Sequence, residues 1–350
     1  MKYSKIYSKE YIQKFIRKRS GEIKLGNCVQ CINNVSPEEG LFNSSAKFVL
    51  LGLPEDIGVR ANYGRGGAHT AWQPALSNIL NMQSNSYLTG EELVVLGHVD
   101  FDDLMEQANA IDFTKDYGII AARTLVSEMD NRVSDIIKLI TKTGKIPIII
   151  GGGHNNAYGN IKGAAQGLTE SGKIKSAKIN CVNCDAHSDF RVLEGRHSGN
   201  GFSYAFSEEL LHKYAIVGVH ENYTPQSVFG KLKEHSDRID FTMFEDIFIR
   251  EEFTFKKAVE RAIDYTKDTY CGIELDMDAV QNIPSSAKAP SGISANQARQ
   301  FVTWTARNTQ VAYLHIAEAA PVLSHIKTDN KTGKLIAYLV TDFMKNSVRS

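Results

Sequence analysis

The chain has 350 residues, of which 42% are hydrophobic, and it carries 40 basic and 40 acidic side chains. The hydrophobic fraction is ordinary for a globular protein with a sizeable core, and zero net charge gives no argument for nucleic acid or an anionic membrane as partner. The N-terminal residues lack the apolar core of a signal peptide, and no apolar run reaches membrane-spanning length. With an odd number of cysteines, five, we expect a cytoplasmic protein with free thiols.

Residues 1–45 are polar and mixed, with a short helix predicted near 10–19. We assign this N-terminal extension no chemistry and expect it to pack on the core or to mediate contacts between subunits of a homo-oligomer. From residue 46 onwards, apolar runs of strand length recur along the chain. These runs lie at 47–53, 93–97, 146–150, 178–182, 214–219, 271–275 and 311–316.

Helical patterns separate these apolar runs. Apolar residues recur at helical spacing between 116 and 143, and Phe255 to Thr266 form a stripe in nearly ideal helical register. Further helices are predicted at 225–234 and 295–309. About eight strands alternating with helices predict an α/β fold, a three-layer α-β-α sandwich around a mainly parallel sheet. We expect residues 1–350 to form a single domain.

The segment Asn183–Asp189 follows one of the predicted strands. In an extended chain, Asp185, His187 and Asp189 project to the same side. Two carboxylates and an imidazole suit a divalent metal that accepts both oxygen and nitrogen ligands. Taken alone, the segment is explained equally well as a charged loop that contains a histidine.

Two further polar segments also begin where a predicted strand ends. Three glycines and His154 follow the run at 146–150, and Asp276 and Asp278 follow the run at 271–275. Open α/β sheets place their ligand sites beyond the carboxyl ends of their strands. The coincidence of three such segments favours a metal site over a charged loop.

The order of these three segments resembles that of the motifs in the ureohydrolase superfamily, which includes arginase, agmatinase and formimidoylglutamase. The segments are Gly-Gly-Gly-His, Asp-Ala-His-Ser-Asp and Glu-Leu-Asp-Met-Asp. The resemblance covers roughly residues 49–318 and implies an arginase-like fold.

Four carboxylates and two imidazoles exceed the needs of one ion, whereas two divalent ions about 3.5–4 Å apart would use them all. Oxygen-rich ligation without thiolate favours manganese over zinc, so we expect two Mn²⁺ per chain. The resemblance implies how they are shared: Asp185 and Asp276 bridge both ions, and a water between the ions becomes the nucleophile near neutral pH. On this scheme the first ion is also held by His154 and Asp189, and the second by His187 and Asp278.

Glu318 resembles the family glutamate that pairs with the amidinium or guanidinium of the substrate. A carboxylate makes short, charge-assisted hydrogen bonds to such a planar cation and so orients it over the nucleophile. The alternative is a glutamate at a strand end that forms a surface salt bridge.

Cationic and polar residues are expected around the mouth of the pocket. Arg191 stands two residues after Asp189, where arginases usually have an asparagine, and a glycine-rich loop after the first predicted strand adds another arginine. Arginine binds carboxylates in a bidentate fork, so several cations suit the dicarboxylate N-formimidoyl-L-glutamate and are a poor match for agmatine. The alternative is that these arginines are solvated or pair with nearby acids such as Glu194. The expected substrate-binding residues are Asn62, Arg65, Arg191, Ser198 and Asn200.

Two departures distinguish this chain from arginases. Phe202 stands where arginases have a histidine thought to shuttle protons; His197 is the candidate replacement, with bulk water as the alternative. The segment after Asp278 also lacks the Asp-Pro usual in arginases and agmatinases. Both departures resemble formimidoylglutamase more closely.

We therefore predict a binuclear manganese hydrolase of linear amidines that converts formimidoylglutamate to glutamate and formamide in histidine degradation. The alternatives are another hydrolase of guanidino compounds, of the arginase, guanidinobutyrase or agmatinase type, and a non-catalytic, metal-bound sensor or scaffold.

Overall fold

The computed structural model describes residues 3–32, 35–324 and 330–347. Within these ranges, nine strands form a single sheet. The strands are β1 (Ser4–Ile6), β2 (Phe48–Gly52), β3 (Leu93–Val99), β4 (Ile146–Ile150), β5 (Ile179–Cys184), β6 (Leu211–Val219), β7 (Ile239–Met243), β8 (Tyr270–Asp276) and β9 (Gln310–Ala317).

Fourteen α-helices lie in the same ranges. They are α1 (Lys9–Gln13), α2 (Leu25–Cys28), α3 (Pro37–Asn43), α4 (Ile57–Ala61), α5 (Trp72–Leu80), α6 (Asp102–Asn109), α7 (Asp116–Lys142), α8 (Asn156–Glu170), α9 (Gly201–Ser207), α10 (Gln226–Glu234), α11 (Phe244–Phe248), α12 (Phe255–Thr266), α13 (Ala295–Asn308) and α14 (Lys331–Ser347). Across the described ranges, none of these helices combines the length and the apolar content that a membrane crossing requires.

The strand order is β1-β3-β2-β4-β9-β8-β5-β6-β7. Only the pairing of β1 with β3 is antiparallel, and all other neighbours are parallel. In the middle of the sheet, Ile150, Ile316, Leu275 and Cys184 lie in register across four neighbouring strands. The segments that follow these four residues therefore meet at one edge of the sheet.

Side chains of successive strand residues enter opposite hydrophobic cores, as the pleat requires. In β2, Phe48 and Leu50 belong to the core beneath α5, α12, α13 and α14, whereas Val49 and Leu51 belong to the core beneath α7 and α8. Both faces of the sheet are thus covered by helices, and the predicted three-layer α/β architecture is confirmed. Coverage on both sides explains why the strands read as continuous apolar runs.

The N-terminal segment packs on the core. The helix predicted at 10–19 is only the short α1, and β1, which was not predicted, adds an antiparallel strand at the edge of the sheet. Ile12 and Leu25 are fully buried. The hydroxyl of Tyr7 accepts a hydrogen bond from the indole of Trp72 at 3.0 Å.

Candidate metal centre and substrate pocket

His154 lies at the centre of a cluster of carboxylates. Its Nδ1 is 3.0 Å from Oδ2 of Asp189, 3.1 Å from Oδ2 of Asp276 and 3.2 Å from Oδ2 of Asp185. All four side chains are buried, and one ligand atom from each lies within 4.8 Å of the others. One imidazole nitrogen and three carboxylate oxygens at such distances are a suitable donor set for a divalent cation.

The glycines before His154 bring the chain into this position. Gly151 and Gly152 have φ of +87° and +75°, a backbone conformation that residues with a Cβ atom rarely adopt. A Cβ on Gly152 would lie 2.3 Å from the side-chain nitrogen of Asn156 and 2.7 Å from Oε1 of Glu55. The turn after β4 therefore requires glycine. The same turn is held by a hydrogen bond of 2.8 Å from the main-chain N–H of Gly153 to Oε1 of Glu55.

His187 and Asp278 extend the cluster toward solvent. Both line a cavity of about 240 Å³ together with Asp189, Asp276 and Glu318. Nδ1 of His187 is 3.6 Å from Oδ1 of Asp185, and the main-chain N–H of Asp278 donates to Oδ1 of Asp276 at 2.6 Å. Four of the six expected metal ligands thus line one cavity, and the other two, His154 and Asp185, lie within 3.6 Å of them.

Negative charge in this cluster is poorly compensated by the protein. Burial and the charges of Asp185 and Asp278 hold the pKa of Asp276 well above its usual range. Burial also raises the pKa of Asp278, and burial with the nearby Asp185 raises that of Asp189. Because close carboxylates repel one another, positive charge placed among them is strongly favoured. The arrangement fits two divalent cations.

Glu318 directly follows β9 and faces the same cavity. It is buried, with φ of +63°, and its Oε1 accepts the main-chain N–H of His154 at 2.8 Å. Burial, together with Asp276 and Asp278, raises its pKa well above the usual value. Its burial rules out the alternative of an exposed surface salt bridge.

Asn62, Arg191 and Ser198 line the outer part of the cavity. The amide of Asn62 donates to Oγ of Ser198 at 3.2 Å. Arg191 is exposed at the rim, and its guanidinium has no ion-pair or hydrogen-bond partner among the described residues. The chain is not extended before it, since Asp189 has φ of +46°, yet the arginine still reaches the cavity.

His197 and Asn200 do not line the cavity, and their polar atoms are engaged elsewhere. Nδ1 of His197 accepts the main-chain N–H of Gly199, and its Nε2 lies 3.2 Å from Oε1 of Glu194. Burial and three nearby arginines lower the pKa of His197 to about 3. The oxygen of Asn200 accepts hydrogen bonds from Arg196 and from the main chain of His197. The geometry therefore gives no support to a proton-shuttle role for His197 or a substrate contact for Asn200.

Arg65 likewise lies outside the cavity lining. It is exposed and donates to the main-chain oxygen of Ser286 at 3.2 Å. Arg196 is buried and pairs with Asp130 at 2.8 Å. Of the expected cations, only Arg191 lines the cavity in the part of the chain that the structure describes.

Phe202 leaves no titratable side chain at the position of the arginase histidine. Its ring is fully buried, stacks on Tyr214 with centroids 4.4 Å apart and meets His154 edge-on at 5.2 Å. Proton exchange with bulk water through the open cavity is the alternative compatible with this packing.

Sequence reasoning missed an aromatic column beside the cavity. The ring of Tyr223, which lines the cavity, stacks on His187 at 5.3 Å and on His220 at 5.3 Å. His220 in turn stacks on Phe244 at 4.2 Å. No periodicity or motif indicates this column, because its members come from segments that meet only in the folded chain.

Sequence comparison gives a matching family and named relatives. Residues 46–345 match the model of the arginase family. The formimidoylglutamase of Streptococcus pyogenes serotype M12 (strain MGAS2096) is 26% identical over 326 residues, which cover 90% of this chain and 89% of the relative. That of Staphylococcus aureus (strain MRSA252) is 27% identical over 302 residues and covers 85% of each chain.

Solved structures show the same fold. The formimidoylglutamase of Bacillus subtilis superposes with a TM-score of 0.72 at 18% identity, covering 95% of both chains. The formiminoglutamase of Trypanosoma cruzi, solved with Mn²⁺, gives a TM-score of 0.70 at 18% identity, covering 94% of this chain and 99% of that one. Because the match to the arginase-family model spans residues 46–345, most of the chain, this protein belongs to the arginase family.

Proposed function

We propose that this protein hydrolyses N-formimidoyl-L-glutamate to L-glutamate and formamide, a step of histidine degradation. The observation that carries the proposal is the polarity of the cavity. Its inner end holds the buried carboxylates Asp189, Asp276, Asp278 and Glu318, and its rim holds the guanidinium of Arg191. A substrate with a cationic amidine at one end and carboxylates at the other matches that polarity. The curated relatives of that name supply independent support.

Two Mn²⁺ are the proposed cofactors. His154, Asp185, Asp189 and Asp276 would hold the first, and Asp185, His187, Asp276 and Asp278 the second. When bound, such ions supply Lewis acidity and lower the pKa of a coordinated water. The donor set, four carboxylates and two imidazoles without a thiolate, favours manganese, and the related Trypanosoma cruzi structure was solved with this metal.

Glu318 and Arg191 would orient the substrate between them. One oxygen of Glu318 is held by the main chain of His154, so the carboxylate is fixed with its other oxygen turned toward Ser286, 3.5 Å away at the cavity wall. A fixed carboxylate pairs with a planar amidinium without the entropic cost of ordering a mobile side chain. Arg191 would then bind a carboxylate of the glutamate part at the rim.

The deciding experiment is a substrate panel. The manganese-loaded protein is offered formimidoylglutamate, arginine, agmatine and guanidinobutyrate, and glutamate, formamide and urea are quantified. We expect glutamate and formamide in equal amounts from the first substrate, with a much higher kcat/KM than for the other three. Faster release of urea from a guanidino compound would replace the proposal with that activity, and no turnover with two ions bound would favour a sensor or scaffold.

A further inference from the structure

A second cluster of buried polar side chains lies against the other edge of the His154 ring. Oε2 of Glu274, in β8, is 3.3 Å from Nε2 of His154 and 2.6 Å from Nδ1 of His315, in β9. The hydroxyl of Tyr313 donates to Oε1 of Glu274 at 2.8 Å. All four side chains are fully buried, and neither Glu274 nor His315 lines the substrate cavity.

Strand pairing builds this cluster. Glu274 and His315 face each other in the parallel register of β8 and β9, two residues before the first aspartate ligand of β8. Nε2 of His315 also lies 3.2 Å from the main-chain oxygen of Gly151, at the start of the loop that carries His154. The cluster therefore joins three of the central strands directly beneath the metal centre.

Hydrogen bonds hold both oxygens of the Glu274 carboxylate. Nδ1 of His315 lies 2.6 Å from Oε2 of Glu274, and the hydroxyl of Tyr313 donates to Oε1. These contacts explain how a glutamate is accommodated at complete burial, and they fix its position beside the His154 ring.

The position of Glu274 determines which nitrogen of the His154 ring is available to a metal ion. Nε2 of His154 makes no hydrogen bond of good geometry among the described residues, and Oε2 of Glu274, 3.3 Å away, is a carboxylate oxygen within reach of it. When Nε2 carries the proton and directs it at this carboxylate, the lone pair is on Nδ1. Nδ1 is the atom that lies 3.0–3.2 Å from the three aspartate oxygens. Carboxylates that accept from the far nitrogen of a ligating histidine fix its tautomer and ring orientation.

We infer that Glu274, held by His315 and Tyr313, is a positioning residue that presents Nδ1 of His154 to the first metal ion. The inference rests on the proposed metal centre but not on the proposed substrate. The same three residues, His154, Glu274 and His315, also bring ligand atoms within 4.8 Å of one another. A cation bound there directly is the competing explanation, and the experiment separates the two.

The test measures manganese binding by competition with a chelator, together with elemental analysis of the ions retained per chain. Glu274→Gln, nearly isosteric, is expected to weaken the ion held by His154 by about 10- to 100-fold. Asn180→Ala removes a comparably buried hydrogen-bonding side chain that contacts Thr266 and Asp268 instead, and it serves as the matched control with unchanged manganese affinity. Equal affinity in Glu274→Gln and the wild type would overturn the inference.

A double-mutant cycle distinguishes positioning from a general structural role. His154→Asn alone should weaken the first ion, and adding Glu274→Gln in that background should cause no further loss, because the ring on which Glu274 acts is gone. Additive losses in the double mutant would overturn the inference. If the wild type binds a third ion and Glu274→Gln removes it, the cluster binds metal directly instead.

A second variant tests the same role if Glu274→Gln does not fold. Tyr313→Phe removes the hydrogen bond to Oε1 of Glu274 and is expected to weaken the ion held by His154. Unchanged manganese affinity in Tyr313→Phe would overturn the inference. All of these readouts are independent of turnover, so they stand even if formimidoylglutamate is not the substrate.

Discussion

The main-chain N–H of His154 donates a 2.8 Å hydrogen bond to Oε1 of Glu318. The two residues follow β4 and β9, which are neighbours in the sheet, so strand pairing alone brings the proposed metal ligand and the proposed substrate-binding carboxylate together. The bond also means that one carboxylate oxygen is occupied before any substrate arrives. Metal binding and cation recognition thus depend on the same loop.

For Glu318 we expect a loss of catalysis without a loss of metal. Glu318→Gln can still accept from His154 but no longer carries a charge for the amidinium. Loss of a charge-assisted bond in a buried site costs about 2–4 kcal/mol, or about 30- to 1000-fold in kcat/KM. Steady-state kinetics with elemental analysis checks this, and near wild-type kinetics with two ions bound would exclude the substrate-binding role.

Asp276 should matter more for metal retention than Asp278. Asp276 lies 3.1 Å from His154 and accepts the main-chain N–H of Asp278, so it is placed to contact both proposed ions. We expect Asp276→Ala to retain fewer ions than Asp278→Ala and to lose turnover. Elemental analysis of both variants purified in parallel decides it, and two ions retained by Asp276→Ala would contradict the bridging role.

Much of this site could be predicted because each ligand segment follows an apolar run. Such runs indicate buried parallel strands, and the carboxyl ends of parallel strands meet at one edge of the sheet. Two of the five residues of β7 and all three of β1, at the opposite edge, are not fully buried; these strands lacked that signal and were missed. Sheet edges bury fewer side chains, so their sequences are less constrained.

Side-chain direction outside the strands was the part that the sequence did not reveal. His197 and Asn200 belong to a motif that resembles the substrate-binding one, but here their polar atoms bond within the loop that holds Arg196. Tyr223 carries no motif at all, yet it stacks on a proposed ligand. Where a chain leaves regular structure, spacing no longer determines which face a residue occupies.

The stacking of Tyr223 on His187 leads to a testable effect on the second ion. Aromatic pairs contribute about 0.5–1.5 kcal/mol beyond burial, equivalent to about 2- to 13-fold in affinity. Tyr223→Ala should weaken the ion held by His187 by that factor and raise KM, since the ring also lines the cavity. Tyr223→Phe keeps the ring and is expected to behave like the wild type in the same chelator titration, and equal weakening in both variants would implicate the hydroxyl instead.

His69 should make stability depend on pH. Its Nδ1 lies 2.5 Å from Oδ2 of Asp56, an oxygen that also accepts the main-chain N–H of Gly67. The bond to Asp56 raises the pKa of His69 above its ordinary value of 6.5, against a smaller opposing effect of burial. A raised histidine pKa contributes stability that is fully present below the ordinary value and lost as pH rises through the folded value.

His69→Asn should therefore lower Tm more near pH 6, below the ordinary histidine pKa, than near pH 9, because the stabilising charge is lost as pH rises through the folded pKa. Thermal unfolding of the two proteins at both pH values, with saturating manganese throughout, is the measurement. A Tm difference that is the same at both pH values would show that packing of the ring, and not its charge, stabilises the glycine-rich loop.

The final prediction concerns Arg191 and the choice of substrate. Its guanidinium stands at the rim of the cavity, its aliphatic stem packs against Gly199, and no described residue pairs with its charge. Arg191→Asn should reduce kcat/KM for formimidoylglutamate by about 2–3 kcal/mol, or about 30- to 150-fold, the scale of a lost ionic hydrogen-bond pair. Metal content should not change, and amidines that lack carboxylates should be nearly unaffected.

Arg65→Asn is the matched control, because Arg65 is a nearby exposed arginine that does not line the cavity, and it should behave like the wild type. A loss that appears only with the carboxylate-bearing substrate would assign Arg191 to the glutamate end. Equal losses on both kinds of amidine would instead show that Arg191 supports the loop after Asp189. In that case the cation at the rim would no longer favour formimidoylglutamate over other amidines, and the choice would depend on the substrate panel alone.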